Sequence, residues 1–128
     1  MTNQLRRVLL VEDEVLVAML AADSLVELGF EVVEAGSGAK ALEIANADIG
    51  QFAVAIVDLG LPDGPGEAVI EKLKVLRPDL PIIVASGRGS HEQDARFGGF
   101  KNLRMMPKPY DFKALSAALA ALGLASRA

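Results

Sequence analysis

Five short runs of strand character, three of them wholly or almost wholly apolar, alternate with helix-patterned stretches along this chain, and that alternation leaves few folds open. The runs are Val8–Val11, Glu31–Ala35, Phe52–Val57, Pro81–Ala85 and Leu103–Met106. Apolar strands without a polar face belong in sheets covered on both sides, the usual setting of parallel strands. Between them, Val15–Leu28 carries Val15, Met19, Ala22 and Val26 at helical spacing. Gly29 stands where a helix C-cap glycine belongs. Ser37 is placed to cap a second helix running through Ala41, Leu42, Ile44 and Ala45. Pro62–Gly66 breaks the chain, and a third helix is expected from about Glu67 to Leu76, stopped by Pro78. A last helix is expected over Asp111–Leu124. Strands alternating with helices, joined by right-handed crossovers, predict a three-layer, doubly wound α/β domain. Gly87–Asn102 should hold the fourth crossover helix. Its four glycines, Gly87, Gly89, Gly98 and Gly99, leave room for a short helix at most, around Glu92–Phe97.

Composition narrows the setting. With 128 residues the chain suits one compact domain, read as 1–128 with a core of about residues 6–124. Cysteine is absent, which removes disulfides, thiol nucleophiles and cysteine–metal sites together. The apolar run after Arg6 and Arg7 stops at Glu12, too short for a signal peptide. No stretch nears the ~20 apolar residues of a membrane span. The expectation is a cytoplasmic protein with no membrane partner. A net charge of −4, with no basic cluster denser than Arg6-Arg7, argues against nucleic acid as a partner. The single histidine, His91, lies in a polar, glycine-bounded stretch and reads as an exposed loop residue.

In an open parallel sheet, ligands bind beyond the carboxyl ends of the strands. The first strand ends in Glu12-Asp13-Glu14, the third in Asp58, the fourth in Ser86-Gly87 and the fifth in Pro107-Lys108-Pro109. The second ends without a charge, in Ala35-Gly36-Ser37. If the first and third strands are neighbours, ~4.8 Å apart, Asp13 and Asp58 face each other with Glu12 close by. Two like charges ~5 Å apart repel by about 3 kcal/mol at an effective dielectric of 20, so a proton or a cation must relieve them. Oxygen-only ligands suit Mg²⁺, a hard ion that keeps much of its water. Such an ion beside Asp58 would shield a phosphoryl group and align it for in-line attack. Lys108, a point charge between two backbone-restricting prolines, suits a phosphoryl oxygen, and Ser86 offers a hydroxyl to another. Singly, each is also explained as a solvated loop or turn residue; the set in register is not.

Four motifs carry a family resemblance: VLLVEDE at the first strand, AIVDLGLPDGPG around Asp58, IIVASG at the fourth strand and KPY after the fifth. In this order they resemble the receiver domain of two-component response regulators, from about Arg6 to Leu124. The resemblance implies a flavodoxin-like (βα)5 fold with a five-stranded parallel sheet in the order 2-1-3-4-5. It implies that Asp58 is the phosphorylated residue. Asp13 would ligate Mg²⁺ directly, Glu12 would assist through water, and the Gly60 carbonyl would be the third protein ligand. Ser86 and Lys108 would hold phosphoryl oxygens. The donor would be a phosphohistidine of a sensor histidine kinase or of a histidine phosphotransfer protein. Output would pass through contact with a partner such as a separate protein effector. A domain of this kind catalyses only its own phosphorylation and dephosphorylation, so it is a signalling switch or phosphoryl shuttle rather than an enzyme.

Three positions depart from the family pattern. The Tyr or Phe usual three residues before the lysine is Met105 here, so the hydroxyl-plus-aromatic switch is incomplete. The fourth-helix region is glycine-rich, and Ser86 stands where Thr is commoner. With VASGRG and KPY, these features resemble a subgroup of alphaproteobacterial stand-alone receivers that carry a Phe-Ala-Thr-Gly-type motif at the fourth strand. Gly60 and Arg88 border the path of an attacking water and bear on the phosphoryl lifetime. An output route without a rotating ring is ordering of Gly87–Gly89 as Ser86 is drawn to the phosphoryl group.

Competing chemistries fit less well. An aspartate-nucleophile phosphatase needs a second acid two residues after Asp58, where Gly60 stands. A flavin-binding module needs a Ser/Thr-rich phosphate loop after the first strand, where Glu12-Asp13-Glu14 would repel phosphate. Two readings stay open: a receiver-like binding module acting without phosphorylation, and a receiver that is one part of a longer regulator.

Overall fold

The structure is a computed structural model that describes residues 6–87, 102–108 and 110–124. Its main sheet contains β1 (Arg6–Val11), β2 (Phe30–Ala35), β3 (Phe52–Asp58), β4 (Ile82–Ser86) and β5 (Leu103–Pro107). All neighbours pair in parallel, in the order β2-β1-β3-β4-β5. This is the flavodoxin-like order that the motifs imply. Four helices lie among the described residues: α1 (Val15–Glu27), α2 (Gly38–Asp48), α3 (Gly66–Leu76) and α4 (Phe112–Ala121). A short antiparallel ribbon, Gly60–Leu61 against Gly64–Pro65, fills the expected break after β3. The helix expected around Glu92–Phe97 lies outside the described residues. Among the described residues, no helix is long and apolar enough to cross a membrane.

Successive side chains of a strand point to opposite faces, and this sheet has a core on each. Val8 and Leu10 of β1 pack with Ala18, Ala21 and Leu25 of α1 and with Leu115 and Leu119 of α4. Leu9 and Val11 point the other way, toward Ala41 and Ala45 of α2 and Ile70 and Leu73 of α3. β3 divides likewise, Val54 and Ile56 against Ala55 and Val57. Each such Val, Leu or Ile contributes about 1.5–3 kcal/mol on burial. A slip of one residue would exchange the two faces, so packing fixes the register that brings the strand ends together.

Helix α1 corrects one expectation. Its buried residues are Ala18, Ala21 and Leu25, while Val15, Met19 and Val26 of the sequence stripe stay exposed. The helix is apolar almost all round, so spacing cannot select a face; close packing on the sheet selects the small alanines. Gly29 follows it with φ of 94°, as a C-cap glycine should. The last helix stops at Ala121 rather than Leu124. Gly123 turns left-handed (φ 82°), its N–H bonds Ala120 O at 2.9 Å, and the Leu124 N–H bonds Leu119 O at 2.8 Å, closing a Schellman turn.

Candidate functional site

The carboxyl ends of β1, β3, β4 and β5 converge on one edge of the sheet. β3 ends on Asp58, in register with Ala85 of β4. Ser86 is in register with Pro107 of β5, and the next amide, Lys108 N–H, bonds Ser86 O at 2.7 Å. The β4–β5 ladder thus delivers the lysine to the site. Glu12 directly follows β1, and its N–H bonds Ala35 O at 3.0 Å. Glu12, Asp58 and Ser86 are buried, whereas Asp13 is exposed. Of the residues singled out in the sequence, Asp58, Gly60, Ser86 and Lys108 line an open depression of about 520 Å³, together with Glu14 and Glu67 among others.

Carboxylate oxygens of Glu12, Asp13 and Asp58 lie within 4.8 Å of one another. Lys108 Nζ stands 3.3 Å from Glu12 Oε1, 3.4 Å from Asp58 Oδ1 and 3.5 Å from Glu14 Oε1. Backbone amides hold the acids in place: Glu14 N–H donates to Glu12 Oε2 (3.1 Å) and Gly60 N–H to Asp58 Oδ1 (3.2 Å). Burial pushes the Glu12 carboxyl above its ordinary pKa. The Asp58 charge adds to that push, and the Glu14 amide and Lys108 offset it only in part. Burial pulls Lys108 down, but Asp58 and Glu12 outweigh it and leave the ammonium above the usual lysine value. Among the described residues, four carboxylates (Glu12, Asp13, Glu14 and Asp58) surround one ammonium, so negative charge is in surplus there. That surplus, on oxygen donors alone, fits a hard divalent cation such as Mg²⁺.

The loop after Asp58 is built by close backbone contacts. Leu59 N–H bonds Ala85 O at 3.1 Å, and Gly66 N–H bonds Leu59 O at 3.0 Å. A Cβ at Gly66 would stand 2.4 Å from Asp58 O and 2.7 Å from Leu59 Cα, so only glycine lets α3 begin there. Sequence reading missed this residue, and it missed Asp63 and Tyr110. The Tyr110 hydroxyl is buried without a hydrogen-bond partner among the described residues; burial first, then the Glu12 charge, raises its pKa to about 12. A KPY motif signals its position but not its surroundings. Met105 is half-buried and packs against the core on the α2–α3 side. Arg88 and Pro109 lie outside the described residues. Beside the acidic site, a groove of about 830 Å³ runs between α1 and α4, sharing Glu14 and Lys108 with it.

The chain matches the family model of the response regulator receiver domain over residues 8–120. It belongs to that family, whose general role is that of a phosphorylation switch. It is 34% identical over 115 residues to the sensor kinase CckA of Brucella abortus (strain 2308), across 85% of this chain and 12% of that protein. It is 35% identical over 111 residues to the DNA-binding transcriptional regulator NtrC of Azospirillum brasilense, across 84% of this chain and 22% of that protein. The chain thus spans a minor part of the relatives it matches. The solved receiver domain of the hybrid histidine kinase CckA is similar at a TM-score of 0.75 and 30% identity, covering 91% of this chain and 97% of that one. Chemotaxis protein CheY4 of Vibrio cholerae shares the fold at a TM-score of 0.84 and 22% identity, covering 93% of this chain and 99% of that one.

Proposed function

We propose that this domain is a cytoplasmic switch or phosphoryl shuttle in which Asp58 accepts a phosphoryl group from a phosphohistidine donor when Mg²⁺ is present. One observation carries the reading: the Glu12, Asp13 and Asp58 carboxylates cluster within 4.8 Å at the sheet edge, with the Lys108 ammonium 3.3–3.4 Å from two of them. Asp13, Asp58 and the Gly60 carbonyl would hold the ion, with Glu12 assisting through water. When bound, the ion supplies charge shielding for the incoming phosphoryl group.

The chain's own residues do the rest. The Gly60 N–H fixes the orientation of the Asp58 carboxylate. One carboxylate oxygen of Asp58 forms the bond to phosphorus while the donor's phosphorus–nitrogen bond breaks and the imidazole keeps the electron pair. The product carries a nearly dianionic group with three acceptor oxygens. Lys108 Nζ shifts its pairing from Glu12 and Glu14 toward that group, and the Ser86 hydroxyl donates to a second oxygen. The donor is a sensor histidine kinase or a histidine phosphotransfer protein, and the output is a protein contact. Met105 in place of an aromatic ring means that a rotating ring at that position is not the signal.

Beryllofluoride, a phosphoryl mimic, tests the reading. With Mg²⁺, fluorine NMR is expected to show bound fluoride signals that vanish in Asp58→Asn and on chelation. Absence of bound signals in the wild-type protein at saturating Mg²⁺ would overturn it and favour a binding module that acts without phosphorylation.

A further inference from the structure

Asp63 lies beyond the acidic cluster, at the turn of the ribbon that follows Asp58, and its carboxylate ties that ribbon to another element. Its Oδ1 accepts the Gly38 N–H at 2.9 Å, and its Oδ2 accepts the Ala39 N–H at 2.9 Å. These are the first two amides of α2. Ser37 Oγ accepts the next, Lys40 N–H, at 3.1 Å. The amide donors that every helix start leaves unpaired are thus divided between a local cap and a carboxylate from the acceptor loop. The approach requires Gly38: a Cβ there would meet Val69 Cγ2 at 2.9 Å and Asp63 Oδ1 at 3.3 Å. The far anchor is firm, because Ala41 and Ala45 of α2 are fully buried against the sheet.

The near end needs such an anchor. The ribbon pairs only Gly60 with Pro65 and Leu61 with Gly64. A ribbon this short has little stability of its own, and its two glycines leave the backbone free to take other conformations. Three ties fix it. Gly60 N–H bonds Asp58 Oδ1, Gly66 N–H bonds Leu59 O, and Asp63 clamps the turn to α2. The first two lie at the base of the loop, where Leu61 also packs against the core; among the described residues, the Asp63 bonds are the hydrogen bonds that tie its turn to another element.

We propose that Asp63 is a positioning residue: by clamping the acceptor loop to the start of α2, it fixes the backbone of Gly60 and hence the carbonyl offered to Mg²⁺. The proposal rests on the reading of Asp58 and Mg²⁺ given above. Coupling between two sites is reciprocal. Mg²⁺ binding therefore slows amide exchange at Gly38 and Ala39, residues that do not touch the ion.

The test compares the wild-type protein, Asp63→Ala and Ser37→Ala in Mg²⁺ titrations followed by calorimetry. Amide exchange with and without Mg²⁺, and phosphorylation by acetyl phosphate at saturating Mg²⁺, are measured on the same proteins. Ser37→Ala loosens the start of α2 while leaving the clamp in place. Asp63→Ala is expected to weaken Mg²⁺ binding about tenfold, the lower end of the range for residues that orient metal ligands. Its phosphorylation by acetyl phosphate recovers as Mg²⁺ is raised, so the loss at saturating Mg²⁺ is smaller than the loss of affinity. Ser37→Ala keeps wild-type Mg²⁺ affinity. Mg²⁺ protects Gly38 and Ala39 in the wild-type protein and does not protect Ala39 or Gly38 in Asp63→Ala. If Asp63→Ala fails to fold, Asp63→Asn, which keeps one acceptor oxygen, is expected to show an intermediate loss of affinity. Wild-type affinity in a folded Asp63 variant, or an equal loss in Ser37→Ala, would overturn the proposal alone. Failure of the wild-type protein itself to bind Mg²⁺ would overturn the reading of the site and the proposal with it.

Discussion

Lys108 serves two demands that oppose each other. Its ammonium, 3.3 Å from Glu12 and 3.4 Å from Asp58, neutralises part of the charge that would attract a divalent cation, and under the proposed function it is also the charge offered to a phosphoryl oxygen. Lys108→Met is therefore expected to tighten Mg²⁺ binding while slowing phosphorylation by acetyl phosphate about 100-fold, the scale of losing one hydrogen-bond donor to charge that develops in the transition state. Weaker Mg²⁺ binding in this variant would contradict the account. Gly66→Ala tests the backbone of the loop. Its methyl group has no room beside Asp58 O and Leu59 Cα, and a loss of about 1–3 kcal/mol in urea unfolding is expected from the overpacking. At this scale the sequence made legible which charged and hydroxyl side chains gather at the strand ends, Glu12, Asp13, Asp58, Ser86 and Lys108, while their roles stand as proposed above. Asp63 and Gly66 were not, because their roles depend on partners that only folding supplies. Asp63 bonds amides 24 and 25 residues away, and Gly66 matters through what a Cβ would strike.

Among the elements, α2 carries a pH signature. The Ala39 and Gly38 amides hold the Asp63 carboxyl below its ordinary value of 3.8. A carboxyl depressed in the folded state contributes stability above its unfolded pKa, and loses it as pH falls through the folded value. The melting temperature of the wild-type protein should thus exceed that of Asp63→Asn at neutral pH, with the gap closing as pH falls below about 4. A gap independent of pH would show that the charge of Asp63 is not what caps α2. The inner strands β1, β3 and β4 were legible as elements because both faces are covered, which leaves nearly continuous apolar runs; the edge strands β2 and β5 carry exposed charges and were legible from their place in the alternation. The buried face of α1 was not, since an all-round apolar helix gives spacing no face to choose. The stop of α4 was hidden in the same way, by a single glycine, Gly123, within a run of alanine and leucine.

For the whole molecule, the alternation of elements and right-handed crossovers leave few topologies, the family resemblance implies which one, and the observed order places four strand ends at one edge. Beside that edge, α1 exposes Val15, Leu16, Met19 and Leu20 on one side. Under the proposed function, a protein donor that brings a phosphohistidine to Asp58 would cover this neighbouring surface, whereas acetyl phosphate need not. Leu16, 69% exposed, can be changed with little effect on stability. Leu16→Asp is expected to slow phosphoryl transfer from a phosphohistidine-bearing phosphotransfer protein severalfold and to leave phosphorylation by acetyl phosphate unchanged. Equal effects on both donors would argue against α1 as the covered surface.

The central claim, that Asp58 is a Mg²⁺-dependent phosphoryl acceptor, is tested most directly by intact-mass spectrometry after incubation with acetyl phosphate. The account predicts a gain of one phosphoryl group, about 80 Da, in the wild-type protein with Mg²⁺, and no gain after chelation or in Asp58→Asn. An equal gain in Asp58→Asn, or in the wild-type protein without Mg²⁺, would contradict it.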